Sequence, residues 1–163
     1  MHCADVLMYC YGEHRSNNDD YDALVKYHQS WLQLRPRSFD PIFERPADAS
    51  IGEFYPEIWF LSDCHGFIPH TDYTDFVADV SSVTGVQHFD LSKILLNVYD
   101  PRMPRLGPTQ RAAVRRIEDE VMTIVRRLCG IAISNHRAPP AMNTACIAIA
   151  MCTCTSRLLI GIH

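Results

Sequence analysis

The sequence predicts an all-α fold, a bundle of helices stacked antiparallel that forms a piece of a larger helical domain. Three observations predict it. Residues 108–134 carry an unbroken apolar stripe with a period of 3.6 residues. Two further stretches, 19–35 and 83–99, repeat that period. Proline-containing turns separate them, and β-branched runs of period two are absent, which argues against a sheet.

The first 18 residues read as an irregular segment that ends in Ser16-Asn17-Asn18-Asp19-Asp20, a helix-start cluster. Tyr21, Leu24, Val25, His28, Trp31 and Leu32 then line one helical face, and Pro36 ends it, because the residue before a proline is driven out of the α region. Residues 36–56 hold Pro36, Pro41, Pro46 and Pro56 and read as an extended connector with single turns. Its apolar members Phe39, Ile42, Phe43 and Phe54 are expected to pack onto the helices. Glu57–His65 reads as a second helical segment, with Ile58, Trp59, Phe60 and Leu61 as its apolar content.

A loop is expected at 66–82, since Gly66 and Pro69 break the helical period. It returns with Val83, Val86, Phe89, Leu91, Ile94, Leu95 and Val98, until Asp100-Pro101 closes that helix. Pro108 suits the first turn of the next, where its missing N–H costs nothing. Val114, Ile117, Val121, Ile124, Val125, Leu128, Ile131 and Ala132 form its stripe. Each such side chain contributes roughly 1.5–3 kcal/mol when buried, against a few tenths for surface pairs such as Arg115–Asp119 or Arg116–Glu120. After a break at 134–140, Ala141–Met151 is small and apolar on every side, which belongs inside a bundle. Too little chain follows to surround it, so this helix is expected to stay partly uncovered and to favour self-association. Residues 153–163 show no stripe and read as an atypical tail.

The 163 residues are 47% apolar and 21% charged, enough for one helical region over 19–152. The net charge is −4 and the pI about 6.0. A chain that holds DNA alone usually has a basic balance, because phosphate neutralisation supplies most non-specific affinity. Direct nucleic-acid contact is therefore not expected. Nor is a membrane span, which needs roughly 18 consecutive apolar residues, and the first residues do not read as a signal peptide.

No catalytic, cofactor-binding, metal or DNA-binding residue is expected. The seven cysteines are scattered, and the Cys152-Thr153-Cys154 pair lacks a second pair to complete a zinc site. Asp63, Cys64, His65, His70 and His88 include the types that ligate zinc, but their spacing puts no two imidazoles on one helical face. Cys64 and His65 are sequence neighbours, whereas nucleophile–base partners meet through the fold. Glu118-Asp119-Glu120 reads as a solvated face. Seven arginines between Arg102 and Arg127, less those three acids, leave a local net of +4, which reads as a mixed-charge exposed face.

Several strings resemble the regulatory region that follows the DNA-binding domain in fungal zinc-cluster transcription factors. They are Trp31-Leu32 with Arg35-Pro36 and Pro41-Ile42-Phe43, then Phe54-Tyr55-Pro56-Glu57-Ile58-Trp59-Phe60 and Asp63-Cys64-His65. Gly85-Val86-Gln87-His88-Phe89 and Lys93-Ile94-Leu95-Leu96 follow. The most characteristic runs from Tyr99 through Asp100, Pro101 and Arg102 to Pro108, and leads to Val125–Ala132 and Ala145–Cys152. The resemblance implies an all-helical, non-enzymatic, nuclear module regulating RNA polymerase II transcription through protein partners or self-association. The family's zinc sits in a six-cysteine DNA-binding array that has no counterpart here, so neither zinc nor DNA contact carries over to any residue of this chain. Residues 66–82 interrupt the family pattern and are expected to be a retained intron, and 153–163 depart from it as a frameshifted end would. Two alternatives stand beside this reading: a helical protein-interaction module unrelated to transcription, and a small helical enzyme or ligand binder.

Overall fold

The computed structural model describes residues 2–12, 18–61, 73–104 and 107–160, with side chains at 73–81, 108 and 154–160 outside the description. The fold is all-α, with five α-helices among the described residues: α1 (His2–Tyr11), α2 (Asn18–Leu34), α3 (Tyr73–Val98), α4 (Pro108–Ser134) and α5 (Pro139–Ile160). Between α2 and α3 lie β1 (Phe43–Arg45) and β2 (Glu57–Trp59), paired antiparallel with Glu44 opposite Ile58. Single 3-10 turns occupy Arg37–Phe39 and Ala49–Ile51.

The helix ends follow local chemistry. Asp19 and Asp20 stand in the first turn of α2, where carboxylates favour the positive end of the helix dipole. α2 stops at Leu34, before the extended Pro36. Gly107 adopts φ +92°, a left-handed conformation cheap only for glycine, and its carbonyl accepts from the Gln110 N–H in the opening turn of α4. Pro139 and Pro140 open α5, where no intrahelical donor is needed.

The chain divides into two compact units. The first comprises Met1–Leu34, Phe89–Ile124 and Ala150–His163. Its core gathers Val6 and Cys10 of α1, Tyr21 of α2, and Leu95 and Leu96 of α3, with Tyr9, Leu24, Val25, Tyr99 and Met151 packed against them. The Tyr21 hydroxyl donates to the Leu96 carbonyl at 2.9 Å. The second unit comprises Arg35–His88 and Val125–Ile149. Ile58, Phe60, Val83, Val86, Leu128, Ile131, Ala141, Ala145 and Ala148 are buried there.

Five expectations need correction. Residues 2–11 are helical, not irregular. Val6 and Cys10, one turn apart, are buried in the core, and tertiary burial stabilises so short a helix. Glu57–Trp59 is a strand, not helix, so a sheet does form, of two strands among the described residues. Within the expected loop at 66–82, residues from Tyr73 onward already belong to α3, while 66–72 lie outside the described residues. The helical spacing of Phe76, Val80 and Val83 is the signal for that early start. Within the expected tail, α5 runs on to Ile160, since no glycine or proline intervenes before Gly161. Finally, Ile42, Phe43 and Phe54 are exposed, and of the four residues expected to pack onto the helices only Phe39 is sheltered.

Candidate functional site

Two side-chain clusters stand out, one in each unit. In the first unit, His28 of α2 is 7% exposed. Its ring stacks on Phe89 of α3 with centroids 3.7 Å apart and planes 6° from parallel. Trp31, one turn along α2, also stacks on Phe89, at 4.2 Å. His2 closes the cluster from α1, with its Nε2 3.2 Å from Nδ1 of His28, so that one nitrogen donates and the other accepts. Tyr27 lies against His2 with ring centroids 4.9 Å apart. Burial pushes the His28 pKa down to about 4, and the charges of His2 and Lys93 push the same way. Burial also lowers the His2 pKa, opposed by Asp5. Nε2 of His28 is buried without a hydrogen-bond partner. A neutral imidazole in that place acts as an aromatic spacer, and it is a poor base at neutral pH.

A pH dependence follows. The folded pKa of His28 lies below its ordinary 6.5, so the unfolded chain binds the proton more tightly. The stabilisation is fully present above pH 6.5 and is lost as pH falls from 6.5 towards about 4. With allowance for solvent reaching half-buried His2, the loss amounts to roughly 2 kcal/mol. Denaturant midpoints across that range measure it. His28→Phe keeps the stack and removes the proton site, and is expected to flatten the acid limb; an unchanged limb assigns the acid sensitivity elsewhere.

In the second unit the hub is Ser134-Asn135, at the end of α4. The Asn135 Oδ1 accepts from the Phe60 N–H at 3.2 Å, and its Nδ2 donates to the carbonyls of Ile58 at 2.8 Å and Ile131 at 2.7 Å. The Ser134 hydroxyl accepts from the Ile58 N–H at 3.1 Å. The asparagine amide thus binds β2 as a neighbouring strand's peptide group would. The other edge of β2 carries β1, and the Trp59 carbonyl accepts from the Ile42 N–H at 2.8 Å. Nearby, Gln87 Nε2 donates to the carbonyls of Leu128 and Ala141, tying α3, α4 and α5 together within this unit. These buried amides satisfy backbone groups and present no reactive atom to solvent.

Among the described residues, those weighed from sequence form no cluster. His88 is exposed on α3, and its Nδ1 donates to the Thr84 carbonyl at 2.7 Å. Asp63, Cys64, His65 and His70 lie outside the described residues. Among the described residues no group of three or more His, Cys, Asp or Glu side chains is placed to hold a metal ion. Glu120 forms an ion pair with Lys93 at 2.8 Å, and Arg116, four residues before it, adds a further electrostatic attraction. Arg102 is engaged by Asp100 and Asp22 and lies over the Tyr21 ring. Arg111, Arg115, Arg116 and Arg126 are exposed. Sequence reasoning placed His28 on the inner face of its helix but gave Asn135 no role. Its only signal was a Ser-Asn pair at a helix end, which ordinary turns share.

The surface offers more than the interior. Ala141, Thr144, Ala145 and Ala148 bury one face of α5, while Met142, Ile147 and Ile149 are 47%, 52% and 48% exposed. Cys146 is exposed beside them. The expectation that this helix stays partly uncovered therefore holds. Among the described residues no helix is long and apolar enough to cross a membrane. Comparison of the chain with family models, curated proteins and solved structures gives no match.

Proposed function

We propose that the chain is a non-enzymatic helical regulatory module of a fungal zinc-cluster transcription factor, acting on RNA polymerase II transcription in the nucleus through protein contacts, without zinc or DNA contacts of its own. One observation carries the reading: strings that resemble the family, far apart in sequence, are packing partners. Trp31 stacks on Phe89, Pro56 lies against Gly130, and Gln87 holds the Leu128 carbonyl. The Asp100-Pro101-Arg102 turn has its own internal ion pair, at 3.0 Å.

The test is a fusion of the full chain to an unrelated DNA-binding domain, read on a reporter promoter in a fungal nucleus. A changed output, up or down, is expected. Unchanged output from a stably expressed fusion sinks the proposal. Genomic sequence upstream of Met1 supplies an independent check, since the proposal expects a six-cysteine array encoded there. The uncharged outer face of α5 also suits a helical interaction module unrelated to transcription, and a silent reporter with intact protein binding selects that reading instead.

A further inference from the structure

We propose that the outward face of α5, formed by Met142, Cys146 and Ile149 and flanked by Asn143 and Ile147, is the seam by which this chain pairs with a second copy of itself. Residues 142, 146 and 149 are spaced four and then three apart, the repeat by which apolar side chains mesh between two helices. All five residues are exposed, while the opposite face of α5 is buried in its own unit.

Charge identifies the occupant. From Ala138 to Ser156 the sequence contains no Asp, Glu, Lys, Arg or His. A helix face turned to water normally carries charges. Three exposed apolar side chains elsewhere have them alongside: Leu34 precedes Arg35, Phe43 precedes Glu44 and Arg45, and Phe54 follows Glu53. A charged partner docked on α5 would give up hydration and meet no countercharge. The occupant that fits is therefore an equally uncharged, apolar face. The molecule carries one of matching length on α5 itself. Two-fold pairing sets that face against itself, and the net charge of −4 lies on other surfaces. Cys146, midway along the seam, approaches its counterpart whether the two helices run parallel or antiparallel. The seam is a single helix wide, so the pairing is of the weak, reversible kind.

The inference rests on reading the chain as a protein-interaction module and names the partner. Sedimentation of the full chain over on the order of 1–100 μM is expected to shift from the 18.6 kDa monomer to the dimer. Ile149→Lys places a charge in the seam at an exposed position. It should leave the helical circular dichroism and the melt unchanged while raising the dissociation constant on the order of 100-fold. A second variant with Cys3, Cys64, Cys152 and Cys154 all replaced by serine should still couple into dimers with a short bismaleimide, through Cys146. A monomer at every concentration overturns the proposal, as does a dimer that survives Ile149→Lys and is not coupled through Cys146. Binding to neutral phosphatidylcholine vesicles without dimerisation assigns the face to lipid and likewise overturns it. A monomer that still drives the reporter fusion refutes the seam alone, whereas a silent reporter with intact dimers refutes the transcriptional reading alone.

Discussion

Asn135→Ala is expected to destabilise the second unit by roughly 3–5 kcal/mol. The loss is not one hydrogen bond. The Phe60 N–H and the Ile58 carbonyl both depend on the Asn135 amide, and both residues are fully buried. Each orphaned backbone group costs about 1–3 kcal/mol, because alanine cannot answer it and water cannot reach it. The Ile131 carbonyl keeps the Asn135 backbone N–H and is spared. Asn135→Asp discriminates the mechanism. It preserves volume and the acceptor for Phe60 but removes the donor to Ile58 and buries a charge, so it should be at least as damaging. Denaturant unfolding of both variants measures this, and a loss under about 1 kcal/mol in either shows that water or a shifted neighbour replaces the amide.

Gly130→Ala is expected to cost about 2–3 kcal/mol, although alanine is the better helix former. A Cβ at position 130 would run into the Pro56 carbonyl oxygen and meet the Pro56 ring at 3.0 Å. The obstacle is backbone and a rigid ring, so α4 and the segment leading into β2 must separate. That strain exceeds the roughly 1 kcal/mol gained from helix propensity. Gly85→Ala on α3 is the control. There the nearest atom is Cε1 of Phe39 at 2.9 Å, the far end of a side chain that can turn aside. Propensity and strain then nearly cancel, and the melting temperature should barely move. Equal effects from both substitutions would show that helix propensity alone decides.

The contrast between these two glycines shows what the sequence reveals and what it hides. Both stand inside clear helical patterns, and nothing in their neighbours distinguishes them. α2 and α4 were legible because their stripes, prolines and start residues act within a few turns. The α4 bounds of Pro108 and Ser134 follow from those signals alone. Glu57–Trp59 was not legible, because one edge of its strand is satisfied by Ser134 and Asn135, 76 and 75 residues away from the groups they bind. α1 was hidden for the same reason, since its Val6 and Cys10 gain burial from residues distant in sequence, Leu95 and Leu96 among them. Of the candidate surface, the uncharged run of α5 and its incomplete cover were readable. Which of its residues face outward was not, because a helix apolar on all sides has no preferred inner face until its neighbours are in place.

The placement of the tryptophans has a practical consequence. The chain has two, and they fall one to each unit, Trp31 stacked against Phe89 and Trp59 donating its indole N–H to Glu57 at 2.8 Å. Replacing either with phenylalanine leaves a native fluorophore that reports on one half of the molecule. Emission from the two single-tryptophan proteins, followed through the same urea series, distinguishes melting in one transition from melting in two.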